Sequence, residues 1–272
     1  KQQLQGIATI ADAATLPAAL RRLGAADRRV QLDPNTCPVA IFDAINNVSD
    51  AVIVEKRDPV LLPKARKNAV EIGGMKEAQS LDSVAMAKFL AWFDREAPSG
   101  ELSEIGIATA LEAFRREEPS LVDLSFDTIA GAGPNGAINH YRVNRSTSRV
   151  LKPGELMLVD SGGQYLSGTT DITRTMFTGK ATAEQRDRFT RVLKGMIAIS
   201  TARFPKGTSG AQIDVLARQF LWQDGVTYNH GTGHGVGHFL SVHEGPAGIS
   251  SRYQTPLEAG MILSNEPGYY KE

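Results

Sequence analysis

The 272-residue chain has one cysteine, Cys37, so it forms no intrachain disulfide and offers no thiolate cluster to a metal. It has no net charge, because 30 Lys and Arg offset 30 Asp and Glu. Nothing in that balance draws the chain to nucleic acid or to an anionic membrane. Long apolar runs are missing too. Stretches such as "ELMLV" at 155–159 fall far short of the roughly 20 residues that span a bilayer. No signal peptide opens the chain, and a cytoplasmic setting fits these features. There is no P-loop and no H-E-x-x-H zinc helix. His243-Glu244 is followed by Gly245-Pro246, which cannot continue a helix. The chain begins "KQQLQG" without a methionine and stops at "PGYYKE". Both ends read as cut from something longer.

What is present falls into two parts. Over residues 1–63, "LPAALRRLG" and "VAIFDAINN" have helical spacing, while "RRVQLD" and "AVIVE" read as strands. This is an α/β pattern too short for a complete doubly wound domain. Pro59 and Pro63 punctuate its end, which puts a boundary near residue 64. Beyond it, residues 66–96 and 103–118 read as helices, with Ser103 as an N-cap. Then come "SFDTIAGAG", "AINHYRV", "ELMLVDSGG" and "TTDITRTMF", read as strands between Gly-rich turns, and two helices over 183–204 and 210–225. That order is α+β. "GAGPNG" (131–136) matches a dinucleotide fingerprint, but no helix follows it, and a tight turn between strands is the better reading.

Four of the five histidines crowd into "HGTGHGVGHFLSVHEGP": His230, His234, His238 and His243. The interleaved glycines argue against a helix. In an extended stretch, alternation would put His230, His234 and His238 on one face, with room for a close neighbour or ligand. Such a cluster is a site candidate; the plainer alternative is a glycine-rich loop with incidental histidines. Asp160 ends an apolar strand, and Asp171 lies across a Gly-rich turn in the next. Either Asp160 caps the turn and Asp171 is solvated, or the two carboxylates converge and need a cation or proton between them. Taken alone, Glu266 in "SNEPGYY" reads as a turn carboxylate, and His140 as a strand residue packed beside Tyr141.

Together, "SFDTIAGAGPNGAINHYRV", "LVDSGGQYLSGTTDITRT", "HGTGHGVGHFLSVHEGP" and "SNEPGYY" resemble the Xaa-Pro aminopeptidases (aminopeptidase P), pita-bread metallopeptidases akin to prolidase and methionine aminopeptidase. The resemblance covers about residues 60–272. It implies an α+β pita-bread catalytic domain over 64–272, truncated at its C-terminal end. Residues 1–63 would be the C-terminal part of a preceding, creatinase N-terminal-like α/β domain. It implies two divalent metal ions, manganese first, with zinc or cobalt as alternatives. Asp160, Asp171, His234 and Glu266 match the family's ligands, and a further bridging glutamate would lie beyond Glu272. Glu266 would also shuttle protons. His230 and His243 would act on the substrate and transition state, His140 would face the substrate, and His238 would only support.

The donor set suits that ion: carboxylates with one imidazole favour a hard-to-intermediate cation, and two such ions can lower the pKa of a shared water. The implied activity is hydrolysis of the bond between an N-terminal residue and a following proline. The implied partners are a peptide with proline second and a second copy in a homodimer, without nucleic acid or membrane. The rivals are a prolidase cutting dipeptides, a metal-free creatinase-like hydrolase, and a non-catalytic peptide-binding module.

Overall fold

Helices begin where the sequence supplies caps. In the computed structural model, which describes residues 4, 6–25, 28–47 and 51–271, Asn68 opens α4 (Ala69–Glu96) with a capping box. Its side chain accepts from the N–H groups of Val70 and Glu71, and Glu71 returns a bond to the Asn68 N–H. Ser103 caps α5 (Glu104–Arg116) by accepting from Gly106, as its sequence position suggests. Thr182 with Gln185 opens α6 (Ala183–Ser200), and Ser209 with Gln212 opens α7 (Gly210–Trp222). The first three residues and Glu272, at the two ends read as cut, lie outside the described residues.

The chain divides into two compact units, Lys1–Leu61 and Leu62–Glu272. The first carries α1 (Leu16–Gly24), then β1 (Arg29–Leu32), α2 (Val39–Asn46) and β2 (Val52–Glu55). β1 and β2 pair in parallel, Arg29 opposite Val52, so α2 is the crossover such a pair requires. Asp33, just after β1, accepts from the N–H groups of Asn35 and Asp58 and pins the two strand ends. A short helix, α3 (Leu61–Ala65), stands at the junction.

In the second unit, β3 (Leu121–Ala132), β4 (Leu156–Tyr165) and β5 (Ile172–Phe177) form an antiparallel sheet in that order. α4 buries Met75, Ala78, Met86, Phe89 and Phe93 at helical spacing. Phe89 and Phe93 join Ile107 and Leu111 of α5 and Met157 and Val159 of β4 in one core. Each such side chain contributes about 1.5–3 kcal/mol. Because Met157 and Val159 face the helices, alternation turns Asp160 to the opposite face.

A second core gathers Ile213 of α7 with Ala247, Ile249 and Leu257. It lies beneath a small pair, β6 (Gly233–His234) and β7 (Gly248–Ile249). Residues 262–266 run along the other side of β6: Val236 N–H meets the Ile262 carbonyl, Ser264 N–H the His234 carbonyl, and Glu266 N–H the Thr232 carbonyl. Among the described residues, no helix is long and apolar enough to cross a membrane.

Two local expectations fail. "AINHYRV" is not a strand. A 3-10 turn over Gly133–Ala137 follows β3, and His140 takes φ +56°. The Tyr141 hydroxyl is drawn inward to Glu104 and Thr147, so the segment folds against α5 and makes no strand ladder. Nor is the histidine run one extended strand. Only Gly233 and His234 pair, and the chain then folds back so that Gly237 N–H bonds the Ser241 carbonyl.

Candidate metal centre

β4 and β5 form the first wall of the site. Asp160 sits opposite Thr173, and Asp171 immediately precedes β5, so the hairpin brings the two carboxylates together. The second wall is β6 with residues 262–266. His234 is on β6, and Glu266 lies diagonally across the adjacent segment. His234 Nε2 is 3.2 Å from Asp171 Oδ2 and 3.1 Å from Glu266 Oε1. Among the described residues, Asp171, His234 and Glu266 offer ligand atoms that all lie within 4.8 Å of one another. Asp160 is not in that trio, but it adjoins it through Asp171.

Glycine makes the second wall possible. A Cβ on Gly233 would stand 2.1 Å from the Ser264 carbonyl oxygen, so only glycine lets the two segments approach this closely. The close neighbour anticipated for the glycines is thus the chain itself. Ser264, which the sequence reading passed over, is central to the arrangement. Its hydroxyl accepts from the His234 N–H at 2.9 Å and donates to Glu266 Oε1 at 2.6 Å.

The remaining histidines separate. The His243 ring centroid is 3.9 Å from that of His234. His140 is exposed yet close enough for its charge to depress protonation of His243. His230 packs against Tyr228 at 4.9 Å and Tyr270 at 5.3 Å, and its Nε2 is buried with no hydrogen-bond partner among the described residues. Tyr270, also unremarked in the sequence, feels the charges of Glu266 and Asp160; burial and those charges push its hydroxyl up to about 12. His238 turns elsewhere. Its ring lies beside Gly74 of α4, so it does not share the face of His234.

Electrostatics favour a cation here. Burial raises Asp160 to about 7, with the charges of Asp171 and Glu266 adding to the effect, and its buried Oδ1 has no hydrogen-bond partner among the described residues. Burial pulls His234 down, but hydrogen bonds to Asp171 and Glu266 outweigh it and lift His234 to about 10. Burial opposes ionisation of Glu266, yet bonds from His234 and Ser264 hold it below the usual carboxylate range. Burial and neighbouring His234 lower His243. Protons on His234 and Asp160 thus offset part of the negative charge of the cluster, and a bound cation would offset more. The orphaned Asp160 oxygen and the oxygen-rich donor set fit a divalent ion.

A pH dependence follows. Ligands must lose their protons to bind metal. Filling the centre at pH 7 should release protons, from His234 and in part from Asp160. Affinity should rise with pH through 7. Titration calorimetry in buffers of different ionisation enthalpy measures the release, and binding without protons would contradict it. Metal-free protein should behave oppositely. Asp160 has its folded pKa above its unfolded one, so its contribution to stability is full below about 4 and lost as pH rises through about 7.

The fold and this ligand pattern define a class. The sequence signature of Metallopeptidase family M24 spans residues 73–272, and the chain belongs to that family, with its pita-bread fold. Among its relatives is a probable Xaa-Pro aminopeptidase P of Laccaria bicolor, 45% identical over 95% of this chain and 42% of that protein. The crystal structure of an X-prolyl aminopeptidase from Caenorhabditis elegans, described as a cytosolic enzyme with a di-nuclear active site, matches with TM-score 0.88. It is 36% identical and is matched over 97% of this chain and 44% of its own. A Xaa-Pro dipeptidase from Bacillus anthracis matches with TM-score 0.78 at 26% identity, over 94% of this chain and 68% of its own. The chain thus spans less than half the length of the Laccaria and Caenorhabditis aminopeptidases.

Proposed function

We propose that the protein is a metal-dependent Xaa-Pro aminopeptidase that removes an N-terminal residue followed by proline. The observation that carries this reading is the convergence of Asp171, His234 and Glu266, with Asp160 beside them, on an M24 scaffold. Those four side chains would hold two divalent ions, manganese first, with zinc or cobalt as alternatives. Bound ions would activate water and polarise the scissile carbonyl.

The chain's own residues do the rest. Glu266, kept ionised by His234 and Ser264, is placed to take a proton at its carboxylate and return it to the leaving imide nitrogen. His230 donates its Nδ1–H to the Gly231 carbonyl, which leaves the buried Nε2 as an acceptor for a substrate N–H and suits it to holding the peptide. His243, held below the ordinary histidine pKa, is available as a neutral hydrogen-bonding group, and His140 stands at the outer edge. Residues 1–63 fit the C-terminal part of a preceding domain. A homodimer in the cytosol, the compartment stated for the Caenorhabditis relative, completes the reading.

Greater identity to the Laccaria aminopeptidase than to the Bacillus dipeptidase favours longer peptides over dipeptides. The test is to supply full-length protein and manganese with Xaa-Pro dipeptides and with Xaa-Pro tripeptides. Release of the first residue from tripeptides is expected. Cleavage of dipeptides alone would point to a prolidase, and no cleavage of either would point to a binding module.

A further inference from the structure

Close to the candidate centre lies a buried ion pair that this mechanism does not use. Lys67 stands one residue before the cap of α4, and Glu244 directly follows His243, 177 positions further along the chain. The Lys67 side chain is 4% exposed and that of Glu244 7%, and Lys67 Nζ donates to Glu244 Oε1. Lys64 approaches Glu244 Oε2 at 3.2 Å from the solvent side. Lys67 is itself anchored, its N–H donating to the Gly260 carbonyl at 3.0 Å.

A buried pair is weak evidence for stability, because desolvation offsets much of the attraction. What it positions is more informative. The Glu244 N–H donates to the Gly235 carbonyl at 2.8 Å, so Glu244 is tied to the residue after His234. The two segments touch backbone to backbone: a Cβ on Gly235 would come within 2.0 Å of the Glu244 carbonyl oxygen. At the other end of the loop, Leu240 and Ser241 hold φ of +62° and +55°, conformations that side-chain-bearing residues adopt only when their surroundings impose them. Gln164 Oε1 restrains that end by accepting from the Leu240 N–H at 3.0 Å. His243 sits between the two restraints, its ring on His234.

We propose that the Lys67–Glu244 pair positions His243, clamping the end of its loop to the start of α4 so that the ring stays against His234. The inference rests on the reading of His243 as a substrate-side residue. Neither Lys67 nor Glu244 touches the reacting groups; both act through His243.

The test uses full-length, metal-loaded protein and a Xaa-Pro tripeptide. Lys67→Met combined with Glu244→Gln removes both charges while keeping similar shapes, so neither ion is left buried alone. The double variant should keep the wild-type metal content, lose roughly 10- to 100-fold in kcat, and change KM by no more than about threefold. In a His243→Ala background the same pair of substitutions should add nothing, because the device works through that ring. Lys67→Arg, which preserves charge and reach, should retain most of the activity. Wild-type kcat in the double variant would overturn the proposal, as would a full additional loss in the His243→Ala background. Inactive wild-type protein would refute the functional reading itself, a separate result in the same assay.

Discussion

Asp171→Ala is expected to lower kcat/KM of the full-length protein by roughly three orders of magnitude or more, and to remove bound metal with it. Asp171 is where the two walls of the site meet. It lies against Asp160 within one hairpin and 3.2 Å from His234 on the other wall. Removing it separates the remaining donors into Asp160 alone and the His234–Glu266 pair. Charge stabilisation by a metal centre is worth several kcal/mol in the transition state, and about 4 kcal/mol is a thousandfold in rate. The metal-free protein should respond differently. The charge of Asp171 is one of the causes that raise Asp160, so the variant should bring Asp160 back toward an ordinary carboxylate without unfolding the chain. Elemental analysis beside activity decides the matter: full activity with unchanged metal stoichiometry would refute the assignment of Asp171 as a metal ligand.

Legibility in the sequence followed the range of the interactions. Ser103 marks a helix start locally, and α5 begins directly after it. Asp160 and Asp171 are eleven positions apart, close enough for a hairpin to bring the carboxylates together. The histidine run was harder. Its glycines signalled close packing, but nothing in the run shows that the close neighbours are Ser264 and Glu244, or that the chain reverses at Leu240 and Ser241. The "AINHYRV" stretch misled because β-branched and aromatic residues carry strand propensity, while the Tyr141 hydroxyl answers to a buried Glu104 37 positions away. The Lys67–Glu244 pair, separated by 177 positions, leaves no local trace at all.

Arg115→Met should be the most damaging substitution outside the candidate centre, costing about 3–5 kcal/mol of stability. Arg115 of α5 and Asp82 of α4 are both fully buried, joined by Nε–Oδ1 at 2.6 Å and Nη2–Oδ2 at 3.1 Å. Asp82 also accepts from the Tyr165 hydroxyl at 2.9 Å and from Thr170 Oγ1 at 2.6 Å. Thr170 Oγ1 in turn accepts from the Gly163 N–H at 2.8 Å and is one residue from Asp171. Loss of the guanidinium leaves a buried carboxylate with two hydroxyl donors and no countercharge, which is the costly half of a broken pair. For a unit of this size, that loss lowers the melting temperature by roughly 10 °C. Replacing Asp82 by Leu in the same protein should recover part of the loss, since no charge then remains buried. Recovery should be incomplete, because Tyr165 and Thr170 lose their acceptor. Urea unfolding of the single and double variants measures both effects; a single variant within about 0.5 kcal/mol of wild type would show that the pair is not structurally required. The damage should also reach the chemistry. Thr170 holds the hairpin at the residue before Asp171, so the folded fraction of Arg115→Met should bind metal more weakly than wild type, even though the substitution touches none of the candidate ligands.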